Sequence, residues 1–190
     1  MRRTVLAIAA LSLALASLTA CTETPAMNNT YQSGDGTVTE IKPANRAEAV
    51  SWSGIANDGL PLGSENLKGV ITVINFWYAA CVACRVETPD LVELANEFEG
   101  QVQFIGVNVR DSADTANAFK RKFKINFPSI MDANTGDVVL AFTGVVSPSA
   151  VPTTLVIDRE GRPAARILGI AEKSTLKALI ESVIKEGSAD

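Results

Sequence analysis

From residue 50 onward the apolar positions alternate between two spacings. Residues 70–77 (Val-Ile-Thr-Val-Ile-Asn-Phe-Trp) are β-branched and nearly continuous, the pattern of a strand covered on both faces. Residues 81–99 then set Leu91, Val92, Leu94, Ala95 and Phe98 on one helical stripe, with Pro89 inside it as an expected kink. Residues 102–109 (Val-Gln-Phe-Ile-Gly-Val-Asn-Val) predict a second buried strand, and 111–123 an amphipathic helix with Ala116, Phe119 and Phe123 inward and Asp114 in its first turn. Short elements follow at 128–131 and 137–142. Thr153–Ile157 reads as a strand, 158–161 (Asp-Arg-Glu-Gly) as a hairpin turn and 162–168 as the antiparallel return, with Pro163 near its start. Lys173–Glu186 closes as a helix, with Leu176, Leu179, Ile180 and Ile184 on one side. Such an order predicts a three-layer α/β domain over 50–190, without internal repeats.

The first 49 residues read differently. Arg2-Arg3 precede an apolar stretch over 5–20, somewhat short for a membrane span, which ends in Leu18-Thr19-Ala20-Cys21. Residues 1–20 are therefore expected to be a secretory signal. Residues 22–49 carry Pro25, Asn28-Asn29, Ser33-Gly34-Asp35-Gly36 and Pro43 without sustained periodicity. They predict a flexible tether with room for a short strand at 37–41, and a coil of that length spans roughly 30 Å.

Chemistry enters at Cys81-Val82-Ala83-Cys84, set where a strand gives way to a helix. Two thiols at this spacing serve zinc sites, haem attachment or thiol–disulfide exchange. Composition separates these readings, because the chain contains no histidine and only three cysteines. Haem attachment needs His where Arg85 stands, and structural zinc needs four Cys or His ligands. Triads that use histidine are excluded as well. Exchange needs one thiolate to attack and a second thiol to resolve the mixed disulfide. Cys81 at a helix N-terminus has its thiolate favoured by free N–H groups and the helix dipole, and Cys84 sits nearly one turn deeper. Arg85 either adds positive potential to that site or lies solvated on the helix surface. No charge, Pro or His lies between the cysteines, which favours a reductant over a strong oxidant. The only basic run, Lys120-Arg121-Lys122, reads as a solvated helix face too narrow for nucleic acid, so no nucleic-acid partner is expected.

The end of the apolar N-terminal stretch resembles the lipobox of bacterial lipoproteins, in which the cysteine is acylated and becomes the new N-terminus. The resemblance implies that Cys21 is a lipid anchor; an ordinary signal peptide and an uncleaved anchor helix are the alternatives. Removal of 1–20, which holds two arginines and no acid, would take the formal charge from −4 to −6. Attachment to the outer face of a membrane would then rest on lipid, not on basic residues.

The order of parts over about 50–186 resembles the thioredoxin-like three-layer α/β/α fold with a central mixed sheet. More closely it resembles the extracytoplasmic, membrane-tethered proteins of the TlpA/ResA type. The resemblance rests on residues 75–89 (Asn-Phe-Trp-Tyr-Ala-Ala-Cys-Val-Ala-Cys-Arg-Val-Glu-Thr-Pro), on 151–158 (Val-Pro-Thr-Thr-Leu-Val-Ile-Asp) and on Gly161. It implies a cis Val151-Pro152 bond facing the dithiol, with the backbone of Val151 offered to an incoming peptide. A trans proline that merely opens the strand is the alternative. It also implies a role in proton transfer for Glu87, otherwise a solvated helix carboxylate. Two positions depart from related patterns. Thioredoxins proper carry an acid where Asn75 stands, and many relatives carry Trp where Ala80 stands, which leaves the rim beside Cys81 more open. Trp77 stands among the candidate substrate contacts beside the dithiol, but it reads as core more than as site.

The expected activity is an exported thiol–disulfide oxidoreductase without cofactor or metal, acting on protein disulfides and supplied by a membrane-embedded thiol-reducing donor. Apocytochrome c is one client the resemblance suggests. A disulfide-forming oxidase or isomerase, a thiol peroxidase and a non-enzymatic binding lipoprotein use the same parts and stay open at this point.

Overall fold

The computed structural model describes residues 30–33, 36–146 and 150–187; the expected signal over 1–20 and Cys21 lie outside them. Among the described residues the central sheet has seven strands. In chain order these are β1 (Thr30–Ser33), β2 (Gly36–Glu40), β5 (Ile71–Trp77), β6 (Val102–Asn108), β7 (Ser129–Met131), β8 (Thr153–Ile157) and β9 (Pro163–Leu168). A separate hairpin pairs β3 (Ser53–Ile55) with β4 (Pro61–Gly63). The helices are α1 (Val82–Glu97), α2 (Ala113–Phe123), α3 (Asp137–Ala141) and α4 (Lys173–Glu186). The sheet order is β1-β2-β9-β8-β5-β6-β7, with β5, β6 and β7 parallel and β8 antiparallel to β5. The sheet is mixed, and the fold is thioredoxin-like.

Alternation along β5 divides the core. Ile71 and Val73 join Leu91, Leu94 and Phe98 of α1 and Leu176, Leu179 and Ile180 of α4 on one face. Further along that face Trp77 meets Ala116 and Phe119 of α2. Ile74 and Phe76 point the other way, to Trp52, Val138 and Phe142. Three helices therefore cover one face. The other carries the short α3 and the β3–β4 hairpin, where the sequence had shown no element. That hairpin lies close because Gly54 has no Cβ; one built there would overlap the Ile130 side chain of β7.

Local signals explain the helix ends. Ser112 caps α2 by accepting the Thr115 N–H at 3.4 Å, and Lys124, with φ 57°, ends it in the left-handed region. Of the basic run, Arg121 and Lys122 are exposed, but Lys120 departs from the solvated face expected for it. It is half-buried and donates to the Asn57 side chain and the Phe127 carbonyl. Burial holds its pKa below the ordinary lysine value. Pro89 does not end α1, which runs on to Glu97.

The N-terminal segment is the main difference from expectation. The short strand allowed at 37–41 is present as β2, but the rest of the tether expected over 21–49 is not all coil: β1 and β2 form an antiparallel pair, and β2 pairs with β9. Val38 is 1 % exposed, inside the core under α4. One inward apolar residue gives no readable period, and backbone pairing to β9 leaves no trace in composition, so the pattern of this segment resembled coil. The chain is then pinned by Arg46, whose side chain is 3 % exposed. Its guanidinium meets Asp158 at 3.0 Å and Glu186 at 2.7 Å, and donates to the Ile41 carbonyl at 3.0 Å. It thereby ties the incoming chain to the β8–β9 turn and to the end of α4. Arg162 also pairs with Asp158, at 2.9 Å.

Breaking a buried ion pair from one side is costly, since the other charge stays buried. Arg46→Ala is expected to lower the unfolding free energy by about 3 kcal/mol, read as a fall in the urea midpoint at unchanged slope.

Candidate active site

β5 ends at Trp77, and residues 78–81 carry the chain over the sheet edge into α1. Cys81 is the N-cap of that helix: its Sγ accepts the Cys84 N–H at 3.0 Å. The two cysteines form a disulfide with Cα atoms 5.3 Å apart. Both are buried, Cys81 at 5 % and Cys84 at 1 % exposure, within a cluster formed with Trp77, Ala116 and Phe119. The sulfur nearer the chain start therefore faces the positive end of a helix of 16 residues. Arg85 is not a free solvated arm. Its guanidinium donates to the Ala79 carbonyl at 3.2 Å and lies 5.8 Å and 5.5 Å from the ring centres of Phe119 and Phe123.

Glu87, one turn beyond Cys84, is 1 % exposed. Asn75 Nδ2 donates to its Oε1 at 2.7 Å, and the Ala171 N–H donates to its Oε2 at 2.8 Å. The same Asn75 nitrogen reaches Thr154 Oγ1 at 3.0 Å, joining β5 to β8. Burial dominates the titration: desolvation pushes the Glu87 pKa up from 4.5 to about 7, against the pull of the Ala171 and Asn75 hydrogen bonds. The group is a buried carboxyl that changes charge near neutral pH, not a solvated helix glutamate.

Val151-Pro152 is a cis peptide. Val151 is partly buried against the cluster of Cys81, Cys84 and Trp77, so this loop borders the dithiol. Among the described residues, no group of three or more His, Cys, Asp or Glu side chains is arranged to hold a metal ion.

A family model described as AhpC/TSA matches residues 45–163. The chain belongs to the AhpC/TSA family. It is similar to the thiol-disulfide oxidoreductase ResA of Bacillus subtilis (strain 168), with 30 % identity over 131 residues, 68 % of this chain and 70 % of that one. The thiol:disulfide interchange protein HelX of Rhodobacter capsulatus is 31 % identical over 137 residues, 68 % of this chain and 73 % of that one. Among solved structures, a DsbF homologue from Corynebacterium diphtheriae superposes with a TM-score of 0.70 at 30 % identity, covering 82 % of this chain and 99 % of that one. The protein is thus a thioredoxin-like thiol–disulfide oxidoreductase of the ResA/DsbE type.

In this AhpC/TSA member the matched span contains Cys81, Cys84, Glu87, Val151 and Pro152, while Ala171, the backbone donor to Glu87, lies beyond it. Ala80, beside Cys81, is exposed. Trp77 lies in the core, the reading favoured for it, and so is not a substrate contact. It is 4 % exposed and its ring lies 4.7 Å from that of Phe119, so it floors the dithiol from inside the core. Its fit depends on Gly106, where a Cβ would fall 2.6 Å from Trp77 Nε1. Thr154 and Ala171 were not legible as site residues. A threonine in a strand and an alanine in a loop carry no chemical signal until the fold turns one toward Asn75 and the other toward Glu87.

The raised pKa has a definite sign in stability. Between pH 4.5 and about 7 the folded protein holds a proton on Glu87 that the unfolded chain has released. Its contribution is full below pH 4.5 and is lost as pH rises through about 7. Relative to Glu87→Gln, the oxidised wild type should lose about 3 kcal/mol across that window, measured by urea unfolding at successive pH values.

Proposed function

We propose that the protein is exported, held to the outer face of a membrane by lipid on Cys21, and reduces disulfides in other extracytoplasmic proteins. Residues 1–20 are the signal, and the chain between Cys21 and the first sheet strand is the tether. In the reduced protein, Cys81 thiolate attacks a substrate disulfide; a Cys81–substrate bond forms and one substrate thiolate leaves. Cys84 then gives up its proton, with Glu87 carboxylate as the acceptor, and attacks Cys81 Sγ. The second substrate thiolate departs and the Cys81–Cys84 disulfide forms, so two electrons pass to the substrate. Val151 and Pro152 receive the substrate chain beside the dithiol, Ala80 leaves the rim open and Arg85 supplies positive potential. A membrane-embedded thiol-reducing donor returns the electrons, since an oxidising compartment would otherwise leave the pair oxidised. Apocytochrome c, with its paired thiols, is a client of fitting chemistry.

The observation that carries this reading is the pairing of a dithiol at a helix N-terminus with a buried carboxyl one turn further on, whose pKa lies at about 7. Such a group takes a proton without holding it tightly. The absence of charge in Val82-Ala83 supports the reducing direction.

Cys84→Ser is expected to accumulate mixed disulfides through Cys81, and mass spectrometry of the captured proteins identifies the substrates; Cys81→Ser should capture none. A Cys81/Cys84 potential near or below about −270 mV supports a reductant, whereas one near −120 mV would make the protein an oxidant. Glu87→Gln should slow the resolving step about tenfold or more at pH 7 while leaving the attack by Cys81 within about twofold, measured by stopped-flow with a disulfide substrate.

A further inference from the structure

We infer that Asp111 and Arg85 hold the backbone of Ala79 at its N–H and at its carbonyl, in two successive peptide groups, as opposed charges that position Cys81 and set how readily its thiolate forms. The inference rests on the reading of Cys81 as the attacking thiol. Asp111 Oδ2 accepts the Ala79 N–H at 2.6 Å, while Arg85 Nη1 donates to the Ala79 carbonyl at 3.2 Å. Neither hand is free to drift. The same Asp111 oxygen accepts Asn108 Nδ2 at 2.7 Å, and Asn108 Oδ1 accepts the N–H groups of Asp111 at 2.7 Å and Arg110 at 3.1 Å. Asn108 itself is 0 % exposed at the end of β6. Arg85 is held over Phe119 and Phe123 of α2, the helix that begins just after Asp111. Both grips on the dithiol loop therefore trace back to α2 and the loop that leads into it.

Ala79 lies two residues before Cys81, at most about 7 Å of chain. Charges bound to its two ends act on the sulfur at a range that salt does not fully screen. Charged and titratable groups near the dithiol include Arg85 and Glu87 from α1, Lys122 from α2, whose Nζ lies 5.8 Å from the centre of the Phe123 ring, Tyr78 and Asp111 from the loops, and Arg110, whose guanidinium lies 4.3 Å from the centre of the Tyr78 ring. Negative charge at Asp111 disfavours the Cys81 thiolate, and positive charge at Arg85 favours it. A disfavoured thiolate makes the dithiol form less stable once pH exceeds the thiol pKa. Asp111 thereby biases the protein toward giving electrons away, and Arg85 opposes it.

The test uses the full-length chain in detergent, with Cys81 alkylation read on its own peptide by mass spectrometry from pH 5 to 10 in a Cys84→Ser background. Asp111→Asn keeps an acceptor oxygen for Ala79 but removes the charge. It should lower the alkylation midpoint by about half a unit, a threefold gain in thiolate below the midpoint. Arg85→Met should move the midpoint up by a similar amount, reading the same axis from the other side should either variant fold poorly. With both cysteines present, the equilibrium of protein disulfide and two glutathione thiols with protein dithiol and glutathione disulfide gives a second readout. Asp111→Asn should favour the dithiol about threefold at alkaline pH and converge with wild type at acid pH, where both thiols are protonated. A merely structural role would shift that ratio equally at every pH. Such a flat offset, or midpoints within about a tenth of a unit of wild type in both variants, overturns the inference and leaves the Cys81 assignment intact. Preferential alkylation of Cys84 in the unsubstituted reduced protein instead overturns the Cys81 assignment, and this inference with it.

Discussion

A carboxyl group sealed inside the sheet-and-helix interface organises the site. Glu87 belongs to α1, yet its hydrogen-bond donors come from β5 and from the loop before α4, and through Asn75 it is tied to β8. Both donors are neutral. They lower the cost of burying charge without matching what a cation would offer, and desolvation prevails, placing the group near neutrality. An interaction tuned for stability alone would favour either an apolar side chain or a paired charge. The carboxyl is retained at a cost to the fold one turn from the resolving cysteine.

Arg46 makes a useful contrast. It too is buried, but it meets Asp158 and Glu186 directly, and Arg162 completes the charge balance at Asp158. That cluster sits at the end of the domain away from the dithiol, where β8 turns into β9. Its work is to fix the incoming chain. The two ends of the domain thus use buried charge in opposite ways: compensated where geometry must hold, under-compensated where a proton must move.

The strands and helices that carry the site were largely legible because their signals are local. The continuous β-branched run of β5 and the stripe of Leu91, Leu94 and Phe98 each announce an element whose partner can be left unspecified. Before residue 50 only the short strand at 37–41 was legible, and its place in the sheet was not, because β2 buries one apolar side chain and is held mainly by backbone bonds to β9. The β3–β4 hairpin escaped for a related reason: its place depends on Gly54 fitting against Ile130, which a sequence does not pair.

For the site the division is similar. Residue type and spacing alone, in a chain without histidine, reduced the two cysteines to exchange chemistry and put Cys81 at the start of a helix. Glu87 was visible as a position, but its charge state was not, since a pKa depends on solvent exclusion and on donors remote in sequence. Trp77 turned inward because the parity of β5, set by the whole sheet, directs that position toward α2. Ala79, flanked by the charges of Asp111 and Arg85, is ordinary in the sequence and specific only in space. The sequence by itself determined which atoms can do chemistry; the tertiary structure decided how much water, and which fixed charges, surround them.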